Sequence, residues 1–277
     1  MKNENLVSHD ELNDILFSAE VKETSDFFGG KEFASNLSHC VYLPQKDKVV
    51  QLCGGSYELV HNRKIILPIY DKMRSIFGER GFKTEIDSFD DRRFYVRFIV
   101  DGDIHSIIKG DDICPTVEIR NSYDGTVKQT VGMGYNRLIC ENGLMAFTED
   151  FTVSVKHSKK AGMIDLQPIY KKLENVEVKL EQFKRLSDRV VTPDELIKII
   201  HAVKASPSIK YPRKMIEPAK LIAEKEALQL KTDLNAWLVY NGFNNPLNHF
   251  ETKLLPEEIS KIDSRVLRTI EKTLSLN

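Results

Sequence analysis

The sequence predicts an α+β fold: an antiparallel β-meander with a flanking helix, followed by a helical C-terminal region. Three observations predict it. Between residues 82 and 157 apolar and polar residues alternate with the period of two that a half-buried strand imposes. From Ile164 onward the apolar positions step by three and four, the spacing of one helix face. The strand-rich stretch also precedes the helix-rich one instead of alternating with it, which separates α+β from α/β.

Residues 1–38 are polar and rich in Ser, Asn, Asp and Glu. They read as a flexible N-terminal arm with one short helix around Asp10–Glu20. A sheet region of residues 39–162 and a helical region of residues 163–277 follow, together one continuous domain. Cys40–Leu52 alternates around Pro44 and a turn at residues 46–48, as a strand or hairpin does. Ile65, Ile66, Ile69, Tyr70, Met73, Ile76 and Phe77 recur at helical spacing. That helix starts at Asn62 or Leu67, with Pro68 best placed in a first turn.

Along Arg93–Val100, Phe94, Val96, Phe98 and Val100 fall on one face, and Arg93, Tyr95 and Arg97 on the other. Asp101-Gly102 predicts a hairpin with a return strand over Ile104–Ile108. Strands then follow at Thr116–Asn121, Val127–Met133, Asn136–Cys140 and Phe151–His157, with a turn at Tyr123-Asp124-Gly125. Gly132-Met133-Gly134 reads as a bulge or turn. In a meander of this kind one face is packed and one is wet.

Leu166, Ile169, Leu173, Val176, Leu180, Phe183, Leu186 and Val190 form an apolar seam suited to a helix hairpin or to self-association. Thr192-Pro193-Asp194-Glu195 is a capping box, so a new helix starts there. Lys204–Pro212 is a linker, and helices follow over Arg213–Leu230, Asp233–Asn241 and Glu257–Leu274.

Composition excludes several classes. Of 277 residues, 41% are hydrophobic and 29% charged, so pervasive disorder is not expected. Forty basic residues against 41 acidic ones give a net charge of -1, so a nucleic-acid surface must be a local patch. The start of the chain lacks a signal peptide's apolar stretch, which predicts a cytoplasmic protein. Cys40, Cys53, Cys114 and Cys140 have no metal-binding spacing and read as reduced thiols. Phosphate-binding glycine loops, nucleophile elbows and zinc helices are all missing from the sequence, so no cofactor, no metal and no catalytic residue is expected.

The wet sheet face is the most suggestive surface. Arg93, Tyr95 and Arg97 share it, with Arg120 and Lys128 on neighbouring strands. Arg137, Lys156, His157, Lys159 and Lys160 extend the positive set. Bases and aromatics alternating on an open sheet suit single-stranded nucleic acid, whose phosphates pair with Arg and Lys while its bases stack on rings. A second reading uses Asp87, Asp90, Asp91, Asp101, Asp103, Asp111 and Asp112 with His157 as a metal-dependent nuclease.

Three blocks carry a resemblance. They are Asn121-Ser122-Tyr123-Asp124-Gly125-Thr126, then Arg137-Leu138-Ile139-Cys140-Glu141-Asn142-Gly143, then Lys156-His157-Ser158. In this order they resemble the phage/plasmid-like protein family called "domain of unknown function 932". Tyr57 to Asn62, Tyr240-Asn241 and His249 are similar to further parts of that pattern. The resemblance implies that Asn121, Asp124, Gly125, Arg137, Cys140, Asn142, Gly143 and His157 are family-motif residues. It also implies an accessory protein of a mobile element in a bacterial host cell, and it brings no enzymatic activity. The expected function is therefore non-enzymatic binding of single-stranded nucleic acid, with self-association through helices into a strand-annealing-like oligomer. The alternative is a protein-binding factor such as a host-defence inhibitor, whose partner is a host or phage protein.

Overall fold

A computed structural model describes residues 12–29, 31, 33–78, 81–100, 102–138, 144–174, 177–250, 254 and 256–276. The fold is α+β with antiparallel sheets and a helical C-terminal region. Its strands are β1 (Glu20–Glu23), β2 (His39–Leu43), β3 (Lys48–Cys53), β4 (Lys83–Phe89), β5 (Arg93–Ile99), β6 (His105–Ile108), β7 (Asp111–Ser122), β8 (Gln129–Arg137) and β9 (Leu144–Val155). Its helices are α1 (Asn62–Phe77), α2 (Gln167–Leu173), α3 (Glu177–Asp188), α4 (Pro193–Ala205), α5 (Ile216–Leu230), α6 (Ala236–His249) and α7 (Pro256–Thr273). One sheet has the order β1-β2-β3, and the other β4-β5-β7-β8-β9 with β6 paired to β7.

The chain forms two compact units, each assembled from three stretches of sequence. The first comprises Met1–Gly102, Thr116–Met133 and Thr152–Glu174; the second comprises Asp103–Pro115, Gly134–Phe151 and Asn175–Asn277. The division between these units runs through β7, β8 and β9.

In the first unit α1 buries Ile65, Ile66, Ile69, Tyr70, Met73 and Phe77. The Tyr70, Phe82 and Phe98 rings meet edge to face at 5.4–5.9 Å. Phe94, Val96 and Phe98 are buried on β5 while Arg93, Tyr95 and Arg97 are half-buried, as the alternation predicts. Of the N-terminal arm, Leu12, Ile15, Leu16 and Ala19 are buried and β1 pairs with β2. Their apolar side chains make this stretch part of the first unit's core.

Four expectations differ in detail. The helix begins at Asn62 with Pro68 inside it, at the cost of one backbone donor. The second half of the predicted β5–β6 hairpin does not pair back. β5 pairs with β4 and with Thr116–Ser122 of β7, whereas β6 pairs with Asp111–Ile113 of β7. Gly132 to Gly134 lie within the single strand β8 rather than a turn. Finally β7 and β8 are buried along nearly their whole length, so these two strands offer no wet face.

In the second unit one apolar cluster includes Leu180, Phe183, Leu186, Leu196, Ile199, Trp237, Phe243, Val266 and Ile270. The predicted helical seam is thus used in part for this core. It is divided between α2 and α3, and Val190 at its end is exposed. The predicted capping box is present: Thr192 Oγ1 accepts from Glu195 N–H, and the Glu195 carboxylate accepts from Thr192 N–H. Among the described residues no helix is long and apolar enough to cross a membrane. Cys40, Cys53 and Cys114 are buried, while Cys140 lies outside the described residues.

Candidate functional site

Three loops of the first unit converge. They are residues 54–61 between β3 and α1, residues 123–128 between β7 and β8, and residues 156–166 after β9. Asn121 ties the first two together. Its Nδ2 donates to the Val60 carbonyl and to Asn62 Oδ1, both at 2.8 Å. The Tyr123 hydroxyl accepts from the Asn62 amide at 3.2 Å. Tyr57 OH donates to the Tyr123 carbonyl at 3.1 Å, and burial holds that phenol well above its ordinary pKa, so it stays protonated.

Asp124 and Gly125 shape the turn. Asp124 Oδ1 accepts from the Thr126 amide at 3.0 Å, and Oδ2 accepts from Arg93 Nε at 3.3 Å. Gly125 sits at φ +67°, and a Cβ there would stand 3.2 Å from Tyr57 Cε2. Glycine is required twice over, by conformation and by the ring pressed against it.

His157 brings in the third loop. Its ring stacks on Tyr57 with centroids 5.8 Å apart and planes 20° apart. Nδ1 lies 3.3 Å from the Glu58 carbonyl, which assigns the proton to that nitrogen. Burial lowers its pKa, so the ring is neutral near pH 7. Lys159 N–H donates to the Ser56 carbonyl at 3.1 Å, closing the loop cluster.

The predicted basic residues divide sharply. Lys128, Lys156, Lys159 and Lys160 are exposed around this cluster, and no carboxylate among the described residues pairs with them. The arginines are paired. Arg93 meets Asp124; Arg97 Nη1 meets Glu85 at 3.1 Å; Arg120 is buried against Glu118. Register explains this: Tyr95 lies opposite Arg120 on β7, and Arg97 opposite Glu118 and Glu85. Acidic residues interleave the face that reads as basic along one strand.

Arg137 stands apart from the other basic residues. It lies in the second unit at 1% exposure and offers no charge to a ligand. Its Nε and Nη2 donate to the two Asp111 oxygens at 2.6 and 2.5 Å, and Nη1 donates to Glu226 at 2.8 Å. Trp237 Nε1 donates to the same Asp111 carboxylate at 2.8 Å. A bidentate guanidinium with two carboxylates satisfies a buried charge, and losing one partner of such a pair typically costs about 3–5 kcal/mol. Arg137 is thus explained by folding of the second unit.

Three aspartates of the nuclease reading are engaged elsewhere. Asp111 serves Arg137, Asp91 pairs with Lys46 and Lys48, and Asp103 faces His105. Among the described residues no group of three or more His, Cys, Asp or Glu could hold a metal ion. Asp101, Cys140, Asn142 and Gly143 lie outside the described residues, as does the Asp87 side chain.

Two of the three motif blocks and the Tyr57–Asn62 segment therefore meet in one loop cluster, and residues 49–273 match a family described as "Domain of unknown function (DUF932)". The chain belongs to that family. No curated protein and no solved structure matches it. The DUF932 motif residues Asn121, Asp124, Gly125 and His157 build the loop cluster of the first unit, while Arg137 builds the core of the second. Sequence reading passed over Gln129 and Tyr57 as working parts. Tyr57 carried a signal, because it lies in a segment similar to the DUF932 pattern; Gln129 carried none.

Proposed function

We propose that this DUF932 protein binds single-stranded nucleic acid without catalysing a reaction, through the lysine-fringed loop cluster of the first unit. The supporting observation is the division of the basic residues. Four exposed lysines without carboxylate partners lie on the loops that pack around Tyr57 and His157, while the arginines of the sheet face are paired with carboxylates. A phosphate backbone takes up such lysines by releasing counterions, which requires no net positive charge overall. The phage and plasmid setting that the family resemblance implies suits a role in DNA metabolism.

Fluorescence anisotropy with a labelled single-stranded oligonucleotide tests this. Four phosphate contacts to a single strand predict a slope of about −3 in log affinity against log salt, or a roughly 50-fold loss from 50 to 200 mM. Lys156→Ala/Lys159→Ala/Lys160→Ala reduces that slope by about 2. Arg93→Ala/Arg97→Ala changes it little. An absence of binding at low salt overturns the proposal, and binding that ignores the lysine variant moves the site elsewhere. One observation favours the protein-binding alternative: Leu221 and Leu228, on one face of α5, are 55% and 80% exposed.

A further inference from the structure

The loop bearing Lys159 and Lys160 has no regular structure, yet it is held on two sides. Gln129, at the start of β8, is fully buried. Its amide meets the loop backbone twice. Nε2 donates to the Gly162 carbonyl at 3.1 Å, and Oε1 accepts from the Ile164 amide at 3.1 Å. One planar side chain thus satisfies an acceptor and a donor two residues apart, as a neighbouring strand does. On the opposite side Lys159 N–H reaches the Ser56 carbonyl at 3.1 Å. Between these anchors the Ala161 and Gly162 amides both donate to the Ser158 carbonyl, at 2.9 and 3.1 Å. Gly162 closes the turn at φ +70°, and a Cβ there would meet nothing within 4 Å. Backbone conformation alone therefore requires glycine at this position.

We propose that Gln129 is a positioning residue: its buried amide fixes the loop so that Lys159 and Lys160 are held in place to meet adjacent phosphates, and it sets affinity without touching the ligand. This rests on the lysine-loop reading above. A clamped loop is ordered before the ligand arrives, so binding does not bear the entropy of ordering it. A loop freed from Gln129 keeps both charges and loses that advantage.

The test uses the full chain and three variants. Gln129→Ala removes the clamp. Gly162→Ala strains the turn without adding a steric contact. Gly162→Asn keeps a residue that tolerates the left-handed region. Two readouts are taken: the rate of tryptic cleavage at Lys159 and Lys160, and anisotropy with labelled single-stranded oligothymidylate. Gln129→Ala and Gly162→Ala are expected to speed cleavage and weaken binding roughly tenfold, with Gly162→Asn close to wild type in both. Unchanged cleavage in Gln129→Ala and Gly162→Ala overturns the clamp. Faster cleavage with unchanged affinity overturns its role in binding and leaves the lysine reading standing. If the wild-type chain fails to bind at low salt, the binding reading and the affinity role both fall, and cleavage still decides whether the clamp exists.

Discussion

Asp263 on α7 is fully buried, and among the described residues no cation contacts it. Tyr240 OH donates to its Oδ2 at 2.8 Å and Asn244 Nδ2 donates to its Oδ1 at 2.5 Å. Two neutral donors do not offset the loss of water, and burial pushes the carboxyl up to about 7. The unfolded value is near 3.9, so the folded state holds a proton that the unfolded state releases. Its contribution to stability is complete below about pH 4 and is lost as pH rises to about 7, by at most about 1.4 kcal/mol per unit. Urea denaturation at pH 5 and pH 8 checks this: Asp263→Asn is expected to flatten the decline, and an equal decline in both proteins refutes it. Arg137 is the opposite case, a buried charge with full compensation. Its burial was not legible, because Asp111 and Glu226 lie 26 and 89 residues away in the chain.

At the scale of elements, α5 and α6 approach closely at Gly242. A Cβ there would lie 2.4 Å from the Ala219 carbonyl oxygen and 2.8 Å from the Ala223 Cβ. Gly242→Ala must push two helix backbones apart, and it is expected to cost about 1–3 kcal/mol in thermal or urea unfolding. A loss within error refutes the close packing. Elements set by local signals were legible in the sequence. The β5 alternation and the Thr192 capping box appear as read, because each depends on residues within a few positions. Pairings that depend on distant strands were not. Asp101-Gly102 carries a strong turn signal, yet β6 takes its hydrogen bonds from the far end of β7. The same limit hid the interleaved acids: Glu118 and Glu85 flank Arg97 only through register.

For the whole molecule, the important fact is that neither unit is a continuous stretch of chain. A fragment of residues 1–162 ends before the part of the first unit that reaches Glu174, and it contains pieces of the second unit without α3 to α7. It is expected to lack a cooperative unfolding transition and to be digested far faster than the full chain. A fragment that unfolds cooperatively with wild-type protease resistance contradicts this. The Arg137 cluster adds a time course. Asp111 and Arg137 leave the ribosome early, but Glu226 follows Arg137 by 89 residues and Trp237 follows Asp111 by 126. At about 5–20 residues per second, those charges wait several seconds to tens of seconds for their remaining partners. The second unit of a newly made chain therefore completes its buried charge cluster only once α5 and α6 have emerged.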